Sequence, residues 1–334
     1  MGSTEGPLVS FCIMCYNQER YIGEALEGAF AQTYRPLEIV ISDDASTDRS
    51  WEIVQAAVAE YRCRPDAVKV VLNRNASNRG NIGNWVAICA LANGRLLVKA
   101  DGDDVSLPER VSRVVDAWRA DGCRATVISN GGMMVGPNGQ RMGHMWKANA
   151  TWLVGAVMTF DRATFDVFGA PAQVHTMDDE VFARRALMLG PEIVMPDRLV
   201  KYRLGTGRSN SLWQVRSPLC KARKELLVAL KQSRSDLEVV RDRMSEADYT
   251  AWLARLEADR RRIEAEVMLF DGDTFSVRFV GYSLIRHLWH APLLSVWQFL
   301  RLAFLLPRPL GNCLLFAYAV VRYVTRRMKG VLGL

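Results

Sequence analysis

This sequence lacks several features that would point directly to a function. It contains neither a GxxxxGK[ST] nor a GxGxxG motif, so a P-loop or a dinucleotide-binding glycine loop loses its main support. Its seven cysteines are scattered and odd in number, which argues against a disulfide framework and favours a reducing compartment. Cys12 and Cys15 form a CxxC, but they lie within an apolar run, and we interpret them as core residues.

Acidic residues are absent from Thr274 to Leu334, a segment that carries eight basic ones. The net charge of +7 therefore resides in this tail and does not indicate nucleic-acid binding. Its apolar runs, 289–306 and 310–325, are interrupted by polar residues before they reach the length of a membrane span. We expect helices lying on the inner face of the cell membrane, and a candidate surface for homo-oligomer contacts. Residues 1–7 are short and polar, so we expect no signal peptide.

The first 120 residues alternate apolar runs with segments of helical periodicity. The runs at 7–16, 37–42, 68–72 and 96–100 are typical of strands buried on both faces. Their alternation with helices predicts an α/β fold with a largely parallel sheet and right-handed crossovers. The carboxyl ends of such strands meet at one edge, where open α/β sheets bind nucleotides.

Three carboxylates follow the fourth run, at Asp101, Asp103 and Asp104. They repel one another, so a hard divalent ion, Mg²⁺ or Mn²⁺, is a natural partner for them. Asp43 and Asp44 end the second run and should lie at the same edge. A metal there suits a nucleoside diphosphate, because it neutralises the two phosphates. The alternative interpretation is a solvated acidic turn.

Beyond residue 120 the pattern is less regular. We expect a strand near 126–129, a hairpin turn at 136–139, and two or three helices within 219–268. A capping box at Ser106 predicts that a helix begins there. Another helix is predicted from Asp178 to Leu189, and its first residues include Asp178 and Asp179. One of these carboxylates is a candidate base, although acidic residues are also ordinary in a first helical turn.

Six segments in this order resemble the GT-A glycosyltransferases of family 2, over about residues 7–212. They are PLVSFCIMCYNQERYI, ISDDASTD, NRGNIGNW, KADGDD, MDDEVFARRA and LVKYR. The resemblance implies a three-layer α/β/α sandwich around a mostly parallel central sheet, followed by C-terminal helices. It also implies a nucleotide-sugar donor, a Mg²⁺ or Mn²⁺ ion, and transfer with inversion at the anomeric carbon.

The resemblance also assigns roles to individual residues. Those implied at the nucleotide-sugar are Tyr16, Asn17 and Glu19 in the base pocket, Asp43 and Asp44 at the base, Arg74, Asn78 and Lys99 nearby, and Asp101 at the ribose or sugar. Asp103 is the implied principal metal ligand, with Asp101 and Asp104 beside it. Asp179 is the implied catalytic base, with Asp178 and Arg185 as its partners.

Two departures from the family pattern are visible. Asp178 stands where the family often has Glu. The family also often has a His shortly after the Tyr-Arg pair, but here Tyr202-Arg203 is followed by 204–208, LGTGR. The metal is then expected to rely on Asp103, phosphates and water, with Arg203 or Arg208 at the diphosphate. His175 is an alternative ligand.

We therefore expect three parts: a transferase domain at 1–215, a helical extension at 216–270 and membrane-associating helices at 271–334. The predicted activity is metal-dependent, inverting hexosyl or deoxyhexosyl transfer from a nucleoside-diphosphate sugar. The predicted acceptor is a polyprenyl-diphosphate-linked oligosaccharide of bacterial surface polysaccharide. Two alternatives stay open: a nucleotidyltransferase of similar fold, and a membrane-bound scaffold with an inactive transferase domain.

Overall fold

Four parallel strands make up the first half of the sheet: β1 (Val9–Cys15), β2 (Leu37–Asp43), β3 (Lys69–Arg74) and β4 (Leu96–Asp101). They coincide closely with the predicted apolar runs and pair in the order β3-β2-β1-β4. Met14 lies opposite Asp101 and Cys15 opposite Asp43, so the polar strand ends meet at one edge. This computed structural model describes residues 6–146, 155–172, 178–204, 206 and 216–271.

The second half of the sheet mixes directions. It contains β5 (Val105–Ser106), β6 (Val127–Val135), β7 (Arg141–Trp146), β8 (Met158–Asp161) and β9 (Glu192–Arg203). The full order is β3-β2-β1-β4-β8-β6-β9-β5, with β7 paired to β6. β8 runs antiparallel to both of its neighbours, whereas β6 and β9 are parallel. The predicted mostly parallel α/β sheet is confirmed.

Eight α-helices are described: α1 (Ile22–Phe30), α2 (Ser50–Arg62), α3 (Gly80–Leu91), α4 (Arg110–Ala120), α5 (Ala163–Asp166), α6 (Asp178–Leu189), α7 (Arg216–Val239) and α8 (Glu246–Asp271). Helix α6 has the predicted bounds. The helix start predicted at Ser106 is wrong, because Val105 and Ser106 pair with β9 and the helix begins at Arg110. A 3-10 helix, Gly155–Val157, leads into β8.

The sheet separates two apolar clusters. Side chains of α1, α2 and α4 cover one face, where Phe11, Val98 and Ala100 are buried. The opposite face, with Cys12 and Leu97, is covered by α3 and α6. Cys12 and Cys15 are free and buried, and they belong to opposite clusters. Burial raises the pKa of the Cys15 thiol to about 12, and both cysteines therefore serve as small core side chains.

Helices α7 and α8 extend the core from α6, where Leu230, Leu237 and Leu256 are buried against Met188. The chain divides into one compact unit at Met1–Phe270 and a second at Asp271–Leu334. Within the described part of the chain, no helix combines the length and hydrophobicity needed to cross a membrane. The predicted membrane-associating segment lies outside the described residues, apart from the end of α8.

At the amino edge of the sheet, the buried carboxylate of Glu38 ties three segments together. It accepts hydrogen bonds from the Ser10 hydroxyl at 2.7 Å and the Asn93 N–H at 2.6 Å, and it pairs with Lys69 at 3.3 Å. Burial opposes ionisation of Glu38, but these donors outweigh it and lower the pKa of the carboxyl. The ionised carboxylate is therefore a structural link at the edge opposite the polar strand ends.

Candidate functional site

Strand β4 carries two charged side chains on one face. Successive strand residues point to opposite faces, so Lys99 and Asp101 share the face of Leu97, which α3 and α6 cover. Lys99 is 3% exposed, whereas the Asp101 side chain is one-third exposed at the strand end. A buried lysine in an apolar strand requires acidic partners, because an isolated ammonium is expensive to desolvate.

The Lys99 ammonium lies among three carboxylates. Its Nζ is 3.1 Å from Asp101 Oδ1, 3.2 Å from Asp178 Oδ2 and 3.6 Å from Asp179 Oδ1. Burial disfavours the charged ammonium, but these carboxylates outweigh it and hold the pKa of Lys99 well above its ordinary value. The ammonium thus joins the end of β4 to the start of α6, two segments far apart in the sequence.

Asp178 and Asp179 occupy the first turn of α6. Asp178 is buried, while the Asp179 side chain is 31% exposed. The N–H of Gly155 donates a hydrogen bond to Asp179. Burial, followed by repulsion from Asp178, raises the pKa of Asp179 to about 8, although Lys99 acts in the opposite direction. A partly open carboxyl group that titrates near neutrality is suited to proton transfer.

Gly155 has a role that the sequence did not reveal. A Cβ at this position would collide with the Asp179 carboxylate and with Lys99 Nζ. Absence of a side chain here lets the backbone approach both groups and deliver its N–H. Nothing in the local sequence, VGAV, distinguishes this glycine from one that serves a turn.

The turn at the end of β4 that carries Asp101, Asp103 and Asp104, here called the acidic turn, is hydrogen-bonded to the end of β9 and to Thr206 beyond it. Asp104, 5% exposed, accepts the Arg203 N–H at 2.7 Å, and Asp103 accepts the Thr206 hydroxyl at 2.8 Å. Burial and repulsion among these carboxylates raise the pKa of Asp103 and of Asp104. Asp104 therefore stabilises the turn through its hydrogen bond to β9. Thr206 lies three residues after Arg203, near the position where the resemblance to family 2 led us to look for a His.

Arg203, which was predicted to lie at a diphosphate, is buried and contacts protein groups in this structure. Arg203 as a whole residue is 4% exposed. Its guanidinium donates hydrogen bonds to the Asp103 carbonyl at 3.0 Å, the Pro137 carbonyl at 3.0 Å and the Glu24 carboxylate at 2.8 Å. It also stacks over the Tyr21 ring, 4.8 Å from the centroid. All three of its nitrogens are thus engaged in structural contacts. The other predicted residues, Arg208 and His175, lie outside the described residues.

Arg185, which was predicted to be a partner of Asp179, has its hydrogen bonds to other residues in this structure. Its Nε and second terminal nitrogen donate to Asp236 of α7 at 2.8 and 2.9 Å. Its other nitrogen donates to the Gly169 carbonyl at 2.7 Å, and the group stacks on Phe182. The reason is geometric: the side chain lies two turns along α6 from Asp179 and faces α7.

A second buried cation lies beneath the acidic turn. Arg110, fully buried, donates to the Lys99 carbonyl at 3.0 Å and to the Ser106 hydroxyl at 2.9 Å. Burial lowers the pKa of Arg110 to about 10, although Asp104 and Asp101 oppose this shift. A guanidinium remains protonated at that value, so it places positive charge under the carboxylates and fixes the β4 backbone.

The loop after β1 brings three predicted base-pocket residues to the polar edge. Tyr16 is 45% exposed, and Asn17 adopts a left-handed conformation with φ 51°. The Asn17 side chain accepts the Thr47 N–H at 2.8 Å, and Glu19 accepts the Arg49 N–H at 3.1 Å. Asn17 and Glu19 therefore shape the neighbouring loop, while Tyr16 presents an open ring.

The end of β2 contributes two buried carboxylates. Asp43 accepts hydrogen bonds from the N–H and hydroxyl of Ser46 and pairs with Arg74 at 3.3 Å. Asp44 accepts from the Asn75 amide and the Arg79 N–H, each at 2.8 Å. Sequence reasoning missed this supporting amide network, which continues through Ser42 and Asn84. Asn78, also predicted here, is exposed and accepts the Gly80 N–H at 3.0 Å.

The acidic turn can be tested for its fit to a divalent cation. Among the residues described, no group of three or more His, Cys, Asp or Glu side chains could enclose a metal. Mg²⁺, however, is usually held by one or two carboxylates together with phosphates and water. Asp103 and Asp101 can supply these two carboxylates. They lie close enough to repel each other, which a cation would relieve, and Asp101 is partly exposed to solvent. The donor set therefore fits a metal completed by substrate oxygens.

Comparison with known proteins bears on this geometry. The Escherichia coli protein named UDP-Glc:alpha-D-GlcNAc-diphosphoundecaprenol beta-1,3-glucosyltransferase WfaP is 31% identical over 108 residues, which are 32% of this chain and 40% of WfaP. The chain spans about two fifths or less of the curated glycosyltransferases considered.

Two solved structures share the fold. S. aureus TarS 1-349 in complex with UDP-GlcNAc has a TM-score of 0.54 at 18% identity, covering 96% of this chain and 91% of TarS. The mannosyltransferase PcManGT from Pyrobaculum calidifontis, in complex with GDP-Man and Mn2+, has a TM-score of 0.52 at 18% identity, covering 80% and 85%.

The sequence model described as Glycosyl transferase family 2 matches residues 10–173, a segment that includes β1 to β4, the acidic turn and Gly155. This match covers just under half of the chain and identifies residues 10–173 as a Glycosyl transferase family 2 domain, and the mixed α/β sheet shares its fold with the two solved structures.

Proposed function

We propose that this chain is an inverting glycosyltransferase that moves a hexosyl or deoxyhexosyl group from a nucleoside-diphosphate sugar to a hydroxyl of a glycan. One observation carries the proposal: Asp101, on the donor side, and Asp179, the candidate base, converge on Lys99 at 3.1 and 3.6 Å. Two carboxylates with separate roles thus lie within one small site, as a direct displacement requires.

In the proposed mechanism, Asp179 accepts the proton of the acceptor hydroxyl while the hydroxyl oxygen attacks the anomeric carbon. The bond from that carbon to the donor phosphate breaks, and the nucleoside diphosphate departs with the electron pair. A single displacement inverts the configuration and needs no protein nucleophile. General-base assistance of this kind contributes typically about 10²–10⁴-fold, and the raised pKa of Asp179 favours such a role near neutral pH.

Asp103, with Asp101 beside it, is proposed to hold Mg²⁺ or Mn²⁺. When bound, such an ion neutralises charge on the departing diphosphate. The raised pKa of Asp103, caused first by burial and then by Asp101, reflects unfavourable negative charge that a cation would relieve. The structure of PcManGT in complex with GDP-Man and Mn2+ supports the same class of donor and metal.

The proposed acceptor is a polyprenyl-diphosphate-linked oligosaccharide at the inner face of the membrane. WfaP is named for a diphosphoundecaprenol acceptor, and another relative is named undecaprenyl-phosphate 4-deoxy-4-formamido-L-arabinose transferase, from Pseudomonas paraeruginosa. The basic, apolar segment 274–334 suits an anionic membrane surface. Flotation with anionic vesicles tests this placement: the full chain should float, and a chain ending at residue 271 should not.

The activity is tested by incubating the protein with UDP-, GDP- and dTDP-sugars, Mg²⁺ or Mn²⁺, and lipid-linked acceptors. Release of nucleoside diphosphate, with the anomeric configuration of the product determined by NMR, is the expected result. Asp179→Asn should abolish transfer while nucleotide binding stays near normal, and Asp116→Asn, on the exposed side of α4, is the matched control. Unchanged turnover in Asp179→Asn would exclude it as the base.

The same assay separates the alternatives. A nucleotidyltransferase would release inorganic diphosphate instead of nucleoside diphosphate. A scaffold with an inactive domain would yield no product with any donor. The intact set of carboxylates at Asp101, Asp103 and Asp179 argues against the scaffold, and β1 is followed by Tyr16-Asn17 where a nucleotidyltransferase would be expected to have a glycine-rich phosphate loop.

A further inference from the structure

We propose that Lys99 is a positioning residue for the transfer reaction, because its ammonium fastens the candidate base to the donor side of the site. The inference rests on the proposed function and adds a role to it: Lys99 does not contact the donor but sets the distance between Asp101 and Asp179.

Enclosure of the ammonium by carboxylates argues for this role. Lys99 has three carboxylates within 3.6 Å, and its side chain is 4% exposed. The ammonium donates a hydrogen bond to Asp101 Oδ1 at 3.1 Å, and its ion pairs with Asp178 and Asp179 enclose the rest of the buried group. A phosphate could reach it only by displacing a carboxylate, which makes direct donor contact the weaker interpretation.

The placement of the other charges points the same way. Among the ion pairs of the described residues, Asp178 and Asp179 each pair with Lys99 alone. The two arginines of α6 have other partners, because Arg184 pairs with Glu180 and Asp259 and Arg185 pairs with Asp236. Arg110 donates to the carbonyl and hydroxyl groups around β4. Lys99 is therefore the cation that holds the first turn of α6 against β4.

Rigid packing around the ammonium gives the contact its precision. The Lys99 carbonyl is fixed by Arg110 at 3.0 Å, and Gly155 lies close enough to leave no room for a Cβ between Asp179 and Lys99. The Asp179 carboxylate is thus held by an N–H and an ammonium at once. Without the ammonium, Asp101, Asp178 and Asp179 would repel one another and separate.

The ion bridge is tested first without any activity measurement. Lys99→Met keeps the aliphatic part of the side chain and removes the charge. The effect of this substitution on unfolding in urea is measured twice, once in the native protein and once in the Asp178→Asn/Asp179→Asn variant. Loss of one partner of a buried ion pair should raise the unfolding constant about 10²–10³-fold in the native background, with a much smaller change in the doubly substituted one. Equal effects in the two backgrounds would refute the proposal that Lys99 stabilises the fold through its ion pairs with Asp178 and Asp179.

Kinetics then tests the positioning role, with the donor identified by the sugar-nucleotide screen. Lys99→Met should lower kcat by about 100-fold, while the donor KM changes less than about fivefold. Lys99→Arg, which keeps the charge, should recover part of the lost kcat. Lys69→Met, at a lysine 64% exposed on the amino edge, is the control and should leave both constants unchanged.

The outcomes of the two measurements are separable. A rise in donor KM that accounts for the loss, or equal losses in Lys99→Met and Lys99→Arg, would overturn positioning in favour of donor binding or a purely structural role. If the unsubstituted protein uses no donor of the screen, the proposed function fails, while the urea cycle still decides whether Lys99 holds the two segments together.

Discussion

Replacement of Gly155 by alanine is the sharpest perturbation that the site offers. The change adds one methyl group to the 3-10 helix that faces α6. The φ angle of Gly155 lies outside the left-handed region that favours glycine, so alanine can adopt the backbone conformation there. Any effect must therefore come from the contacts of the new Cβ with Asp179 and Lys99.

The size of the effect follows from those contacts. The added carbon would lie 2.8 Å from Asp179 Cγ and closer still to a carboxylate oxygen and to Lys99 Nζ. Relief of the clash requires the carboxylate to move by about 1 Å, and misplacements of that order cost about 10²-fold in rate. Overpacking should also cost about 1–3 kcal/mol of unfolding free energy, which a protein of this size can tolerate.

The assay compares kcat, donor KM and the unfolding midpoint of Gly155→Ala with those of Gly23→Ala. Gly23 lies in α1, and a Cβ there would meet no atom within 4 Å. The control should keep full activity and gain about 0.5–1 kcal/mol of stability from helix propensity. Gly155→Ala should instead lose about 100-fold in kcat while nucleoside diphosphate binding is retained.

A folded Gly155→Ala protein with native kcat would refute the reasoning. It would mean that the carboxylate beside Gly155 can move freely without consequence, and that proton transfer does not depend on Asp179 as placed here. A variant that loses nucleotide binding together with kcat would equally contradict it, because the groups that the new Cβ would meet, Asp179 and Lys99, are not proposed to contact the nucleotide.

Three further predictions concern stability and the metal. Arg185→Met should cost about 3–5 kcal/mol of unfolding free energy by leaving Asp236 buried and unpaired, and adding Asp236→Asn should recover much of it in urea unfolding. The stabilisation by ionised Glu38 is fully present above its unfolded pKa and lost as pH falls through the lower folded value. The midpoint difference between the native protein and Glu38→Gln should therefore be constant above about pH 5 and shrink below it, and a difference independent of pH would contradict the link. Asp103→Ala should abolish the metal dependence of nucleoside diphosphate binding in calorimetry, and retention of that dependence would exclude Asp103 as a ligand.

The elements that obey simple periodicity could be predicted from the sequence, and those shaped by distant partners could not. β1 to β4 are continuous apolar runs, and α6 has an acidic start and a Gly-Pro stop. β9 escaped because Pro196 interrupts it, and the structure places this proline at a register shift where the ladder is already broken. The short strand β5 was masked by a sequence that resembles a helix cap.

The candidate site divides in the same way. Residues at the end of a strand, such as Asp43 and Asp101, or directly after it, such as Asp44, are located by the end of an apolar run. The ion pairs of Arg185 and Arg203 could not be predicted, because their partners, Asp236 and Glu24, are remote in the sequence and only the packed helices bring them close. Lys99 gave a usable signal, since a lone lysine inside an apolar strand must find carboxylates somewhere.

Because of the contacts of Arg203, the acidic turn becomes ordered when the protein folds and not when a ligand binds. One guanidinium joins that turn to α1 and to the β6–β7 hairpin, so the turn cannot swing independently of either. The conformational entropy of the turn is therefore lost during folding and does not weaken the binding of a ligand. The proposed donor side of the site is therefore preorganised, and under the proposed function the entropy lost on binding a nucleotide-sugar would fall mainly on the ligand itself.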